Sequence, residues 1–162
     1  MASWHNFMLA VPEFAAVVRE GLESGPYALL GSIRADGHPR ISGVIVTFSD
    51  DELWVGMPAS SLKTADLARQ PKMSLHSSVA ASAPAQGDVK LSGTAVPIGS
   101  ADEEFRHFAE AAGREIDATT TAVYRIVLHD ASQVRLSEAR DHHIIESWRD
   151  GQQRTLLRND LP

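Results

Sequence analysis

Between Tyr27 and Pro58 the apolar residues come in short runs, each ended by a strong turn signal. Tyr27 to Arg34 is apolar and strand-like. Asp36-Gly37 follows, where glycine accepts the positive φ that a tight hairpin demands. Ile41 to Phe48 is rich in β-branched residues, and Ser49-Asp50-Asp51 turns the chain again. Leu53 to Met57 then runs up to Pro58, which cannot donate to a ladder and stops the strand. Parallel strands need long crossovers, so reversals this close together build antiparallel sheet.

The pattern resumes downstream. Lys72 to Ser77 alternates, with Met73 and Leu75 on one face, and Val89 to Ile98 is a further strand. Ala122 to Leu128, Gln133 to Leu136, His142 to Trp148 and Arg154 to Leu157 are the remaining strand candidates. Val79 to Gly87 is small and polar, which predicts a loop. Three segments carry helical spacing instead. In Val11 to Ser24, Val11, Phe14, Ala15, Val18 and Leu22 share a face, with Pro12 in the first turn and Gly25-Pro26 at the end. Ser60 to Arg69 is a short helix closed by Pro71. Phe105, Phe108, Ala109 and Ala112 make an amphipathic helix, with Ser100 and Glu103 at capping-box spacing and Glu103, Glu104 and Glu110 as a solvated face. The expectation is a mainly β (α+β) fold, a small antiparallel barrel with two to three flanking helices, in one domain over residues 1–162.

Composition narrows the function. No apolar run approaches the roughly 18 residues of a membrane helix. Met1 to Ala10 has no basic cluster and does not read as a signal peptide. Cysteine is absent, which excludes disulfides, thiolate metal sites and cysteine nucleophiles and fits a cytoplasmic protein. The net charge is −6 with basic residues scattered, which argues against a nucleic-acid partner. Glycine-rich nucleotide loops and the serine elbow of hydrolases are missing.

The chemistry concentrates in Pro58-Ala59-Ser60-Ser61-Leu62-Lys63-Thr64, where a strand ends and a helix begins. The first N–H groups of a helix have no internal partners, and the dipole favours an anion beyond them. Two hydroxyls and an ammonium stand at that end. Lys63 is unfavourably placed against the dipole, by about 0.3–1 kcal/mol, unless an anion reverses the sign. The plainer alternative is that Ser60 caps the helix and Lys63 points to water. His142-His143 beside Asp141 is a poor chelate, because neighbours on a strand point to opposite faces; no metal site is expected. His76 reads as structural. Trp148 is open between stacking on a planar ring, a core position and an interface.

The order of these pieces carries a resemblance. Gly37-His38-Pro39 enters a strand, Ser61-Leu62-Lys63 opens a helix with Leu67 four residues after the lysine, Gln70-Pro71 precedes Lys72-Met73-Ser74-Leu75, and Val89 to Gly93 ends in glycine. Over about residues 26 to 98 this resembles the FMN-binding split-barrel family that includes pyridoxamine 5′-phosphate oxidase. The resemblance implies a split barrel, an FMN or deazaflavin F420 cofactor, oxidoreductase chemistry on an unidentified small molecule, and a homodimer. It implies phosphate ligands at Ser61 and Lys63, with Ser60 and Thr64 beside them. It further implies Lys90 as a basic residue near the cofactor, and Arg40 and Ser42 on the strand that faces the ring. Leu62 and Ile41 stand where the family pattern carries arginine. The acidic tail of F420 would call for rim cations such as Lys72 or Arg69. The motif that holds the vitamin phosphate in the oxidases is incomplete in the C-terminal third, so pyridoxamine 5′-phosphate is expected to be a poor substrate. A non-catalytic flavin- or haem-binding protein is the alternative, with His76, His142 or His143 as axial ligand.

Overall fold

The computed structural model describes residues 1–49, 51–78, 87–149 and 151–158. Helices α1 (Trp4–Ala10) and α2 (Pro12–Glu23) lead into strands β1 (Ala28–Ile33), β2 (Pro39–Phe48) and β3 (Leu53–Pro58). Helix α3 (Leu62–Arg69), strands β4 (Lys72–His76) and β5 (Asp88–Ile98), and helix α4 (Glu103–Ala112) follow. The chain ends in β6 (Thr121–Leu136), β7 (His143–Arg149) and β8 (Gln152–Arg158). The strand order is β3-β2-β1-β4-β5-β6-β7-β8, and β3 also pairs with β6. That extra pairing closes β3, β2, β1, β4, β5 and β6 into an antiparallel barrel and leaves β7 and β8 as an extension. The fold is therefore the mainly β split barrel expected, with four helices among the described residues rather than two or three.

The hairpin signals work as predicted. Gly37 takes φ 83° in the β1–β2 turn. Ser49 Oγ accepts the N–H groups of Asp51 and Glu52 at the next reversal, where Asp50 lies outside the described residues. Of the loop expected over Val79 to Gly87, only Gly87 is described.

Two features depart from the periodicity. The short helix α1, which nothing in the spacing announced, is capped by Ser3, whose Oγ accepts from Asn6 N at 3.2 Å. It plugs the barrel core. The Trp4 ring meets Phe48 edge-on at 4.7 Å, and Phe7 meets Trp148 at 4.9 Å. The second departure is β6, expected as two strands. Polar His129-Asp130 breaks the alternation, but the strand absorbs it in a bulge. Ser92 pairs with Asp130 and Gly93 with Leu128, so His129 is the extra residue. The slip lets both Leu128 and Ala131 point inward and lie buried.

Helix α4 packs Phe105 and Phe108 on Trp54 and Val123, over the β3–β6 seam. Its N-cap residue is Asp102, so the predicted capping box does not form. Nor is Glu104 merely solvated: its Oε1 accepts from Trp54 Nε1 at 3.0 Å and lies 3.1 Å from Arg125.

Gly93 tolerates the bulge because it has no side chain. A Cβ there would lie 2.6 Å from Val127 O, a backbone atom that cannot swing away. Gly93→Ala should lower stability by about 2–3 kcal/mol, read as a lower urea midpoint with an unchanged m-value. An unshifted midpoint would remove the bulge from this account.

Candidate functional site

The site begins where β2 and β3 separate. Their ladder runs from Ile45↔Gly56 to Phe48↔Leu53, whereas β2 pairs with β1 all the way out to Pro39. Residues 40–44 of β2 thus have a partner on one edge only. In an antiparallel strand the N–H and C=O of one residue point to the same side, and successive residues alternate. Gly43 O is directed to the open side, since Lys63 Nζ donates to it at 2.8 Å. The peptide groups of Gly43 and, two residues on, Ile41 therefore face the gap.

Helix α3 fills that gap. Ser61, not Ser60, is its N-cap: Ser61 Oγ accepts from Thr64 N at 3.4 Å and lies 2.9 Å from Thr64 Oγ1. Thr64 Oγ1 also donates to Pro58 O at 2.9 Å, which ties the helix start to the end of β3. The N–H groups of Leu62 and Lys63 precede the internal ladder and point out of the helix end. The side chain of Leu62 is exposed.

One turn further on, Asp66 is buried at 4% exposure and receives three groups. Arg40 Nε donates to its Oδ2 at 2.6 Å, Ser32 Oγ donates to the same oxygen at 3.1 Å, and Arg69 lies 3.6 Å from Oδ1. Ser32 and Arg40 are cross-strand partners on β1 and β2. The hydrogen bond from Arg40 is the largest influence on this carboxyl and, with Ser32 and Arg69, holds it below the usual carboxylate range despite its burial. Asp66 was not among the sequence candidates. The only trace of it is an acid on the same helical face as Lys63, three residues on.

The eight candidates therefore divide. Ser61, Lys63 and Thr64 come together at the start of α3, with Ser60 exposed in the turn before it. Arg40 reaches the underside of the same helix through Asp66, and Ser42 lies half-buried between the two contact points on β2. Lys90 is on β5. Gly43, Leu29, His76 and Lys90 are successive partners across β2, β1, β4 and β5, which sets Lys90 about 14 Å from Gly43 at ordinary strand spacing. Lys90 Nζ lies 2.8 Å from Asp88 Oδ2. Trp148 is a correction: at 3% exposure, with its ring against Phe7, it is a core residue and offers no open face for stacking within this chain.

The histidines raised as haem ligands differ in availability. His76 Nδ1 lies 2.6 Å from Ser77 O and Nε2 lies 3.0 Å from Asp88, so neither nitrogen faces open space. His142 Nδ1 is bonded to Asp141 in the β6–β7 turn, far along the chain from the β2 gap. Among the described residues no group of three or more acidic or histidine side chains is arranged to hold a metal. No helix among them is long and apolar enough to cross a membrane.

The comparisons agree with this fold. A family model, pyridoxamine 5′-phosphate oxidase, matches residues 14–143, and the chain belongs to that family. No curated protein sequence matches it. Among solved structures it resembles PhzG from Burkholderia lata 383, determined with tetrahydrophenazine-1-carboxylic acid. The identity is 17%, the match covers 95% of this chain and 89% of that one, and the TM-score is 0.57. It also resembles HutZ, a haem storage protein from Vibrio cholerae (14% identity, 73% and 89% covered, TM-score 0.57). An F420 reductase matches at 13% identity, with 69% and 94% covered and a TM-score of 0.51. At such identities the likeness is one of fold.

Asp66→Asn should cost about 2–3 kcal/mol at neutral pH, because it strips a buried pair of its charge. The folded carboxyl titrates below its unfolded value of about 3.9, so its contribution is complete above that value and is lost as pH falls through the lower folded one. Urea midpoints of the two proteins should differ at pH 7 and converge in acid. A gap that stays constant down to the lowest accessible pH would contradict the pairing.

Proposed function

We propose that this chain is a flavin-type nucleotide-binding oxidoreductase, with FMN as the cofactor and its phosphate at the start of α3. The supporting observation is the seam itself: an open strand edge, a helix N-terminus and one lysine that bridges them. The residues fit such a group. The N–H groups of Leu62 and Lys63 and the Lys63 ammonium supply donors to a phosphate, and Ser61 and Thr64 hold that helix end in place. The peptide groups of Ile41 and Gly43 supply the alternating donors and acceptors that a flavin's pyrimidine edge would meet. When bound, the ring supplies hydride or electron transfer, which leaves the protein to bind, orient and shield it. That division of labour accounts for a site without a triad or paired carboxylates.

A deazaflavin reading, F420, draws support from Leu62 and Ile41, which are 66% and 75% exposed. Both stand where the family pattern carries arginine. A phosphate monoester carries about −1.5 to −2 charge at neutral pH, whereas the phosphodiester of F420 carries a single charge, a closer match to one lysine and one helix end.

The same reading includes a homodimer. Ile41, Ile45, Leu29, Ile33 and Tyr27 are exposed on the outer face of β1 and β2, while Val44 and Phe48 fill the barrel. These side chains stay exposed although α3 packs against β1 and both α2 and α4 pack against β2. A second copy is the simplest cover for so much apolar surface.

The absorption spectrum of the purified protein tests the reading directly, since flavin, deazaflavin and haem differ in colour. Lys63→Ala should weaken binding of FMN or F420 by about 1.5–3 kcal/mol, the worth of a charged hydrogen bond; unchanged affinity by fluorescence titration would sink the phosphate assignment. Light scattering should give twice 17.6 kDa. Pyridoxamine 5′-phosphate should turn over poorly in an oxidase assay with added FMN.

A further inference from the structure

We propose that Asp66 is the positioning residue of the phosphate end of this site, acting through Arg40. The inference rests on the cofactor reading above and goes beyond it, because Asp66 itself faces no ligand.

Arg40 meets Asp66 through Nε. The two Nη groups form the planar fork that reads phosphate and carboxylate, and this bond leaves them for another acceptor. The Arg40 side chain is about one-quarter exposed, and its Nε is fixed on Asp66. A free arginine on a strand edge samples many rotamers. One held by its Nε on a buried carboxylate has spent that entropy in folding. Ser32, the cross-strand partner of Arg40, donates to the same oxygen and fixes the acceptor in turn.

Asp66 also sets where the helix lies. Lys63 and Asp66 are three residues apart on α3 and contact β2 at Gly43 and Arg40, again three residues apart. The helix is thus pinned across the open edge at two points. Between them lies the outward peptide group of Ile41. One side chain therefore orients a cation and holds the helix end, with its Lys63 ammonium and the N–H groups of Leu62 and Lys63, over the same stretch of edge. Arg69 completes the arrangement. It donates to Ile33 O and flanks Asp66 Oδ1, which keeps the carboxylate from turning away from Arg40.

A purely structural Asp66 would affect every ligand alike, or none. A positioning Asp66 affects only the part of the affinity that comes from phosphate. The test compares FMN with riboflavin, which has the same ring and no phosphate, by fluorescence titration of the wild-type protein and Asp66→Asn. F420 and its phosphate-free chromophore form a second pair. In the wild type the phosphate should improve affinity. In Asp66→Asn that improvement should shrink about tenfold or more, the scale of one charged hydrogen bond, while riboflavin affinity stays within about twofold. Circular dichroism establishes that the variant is folded. Should Asp66→Asn not fold, Arg40→Gln, which keeps Asp66 with Ser32 and Arg69, carries the same expectation. Asp66→Glu should restore part of the phosphate preference. A folded variant that keeps the full preference overturns the positioning role and leaves the cofactor reading intact. A wild-type protein with no affinity for either pair overturns the cofactor reading, and the role of Asp66 with it.

Discussion

Closure of this barrel depends on one strand serving two partners in succession. The first part of β6, Thr121 to Arg125, pairs with β3 and closes the ring, and the second part, from Asp130 onward, pairs with β7. All the while the other edge of β6 follows β5 from Val123 to Val134. The two stretches turn opposite parities inward, Tyr124, Ile126 and Leu128 in the first and Ala131 and Gln133 in the second. The bulge at His129 resolves this by inserting one residue, so the inward set resumes at Ala131 and the core continues under β7 to Trp148. Gly93 opposite the bulge is the cost of that arrangement, a place where the neighbouring backbone leaves no room for a side chain.

The split at the other side of the barrel follows from a similar limit. Strand β3 leaves β2 after Gly56 and stays with β6 as far as Pro58, so the longer β2 projects past it with an unpaired edge. Unpaired edges are normally blunted, because exposed ladder groups recruit other chains. Here a helix covers the edge, and it does so with polar contacts rather than a packed apolar face: Lys63 on Gly43 O, Thr64 on Pro58 O, Asp66 on Arg40 and Ser32. Polar cover leaves some ladder groups within reach of a ligand, which an apolar seal would not.

Much of this was legible in the residues. Strands bounded by Asp36-Gly37, by the Ser49 turn and by Pro58 could be read with their ends nearly in place, because local turn chemistry decides them. The short helix α1 could not, since its seven residues hold together through Trp4 and Phe7 docking into a core formed by distant strands. The continuity of β6 was hidden for the same reason: His129-Asp130 looks like a break until β5 supplies the opposite strand. At the site, Ser61 and Lys63 stood out because a helix start is a local event. Asp66 did not, because its meaning comes from Ser32 and Arg40, which are 34 and 26 residues away in sequence. Trp148 illustrates the opposite error, a conspicuous residue whose ring the fold needs for packing against Phe7.

The electrostatics of Lys63 tie these threads together. A cation in the first turn opposes the helix dipole, and a carbonyl acceptor offsets that cost only in part. Its bond to Gly43 O engages one of the three ammonium protons and leaves two for other acceptors. The same side chain can therefore latch the helix to the strand edge and still donate to an anion at the helix end. Asp66 lies one turn deeper, where its negative charge is matched by Arg40 and Arg69 rather than by Lys63. The carboxylate thus anchors the helix without neutralising the cation at its mouth. Reversing the two positions, with the acid in the first turn and the lysine buried, would satisfy the dipole better and would abolish the attraction for an anion. The observed order gives up a few tenths of a kcal/mol of helix stability and keeps a positive helix end over an open strand edge.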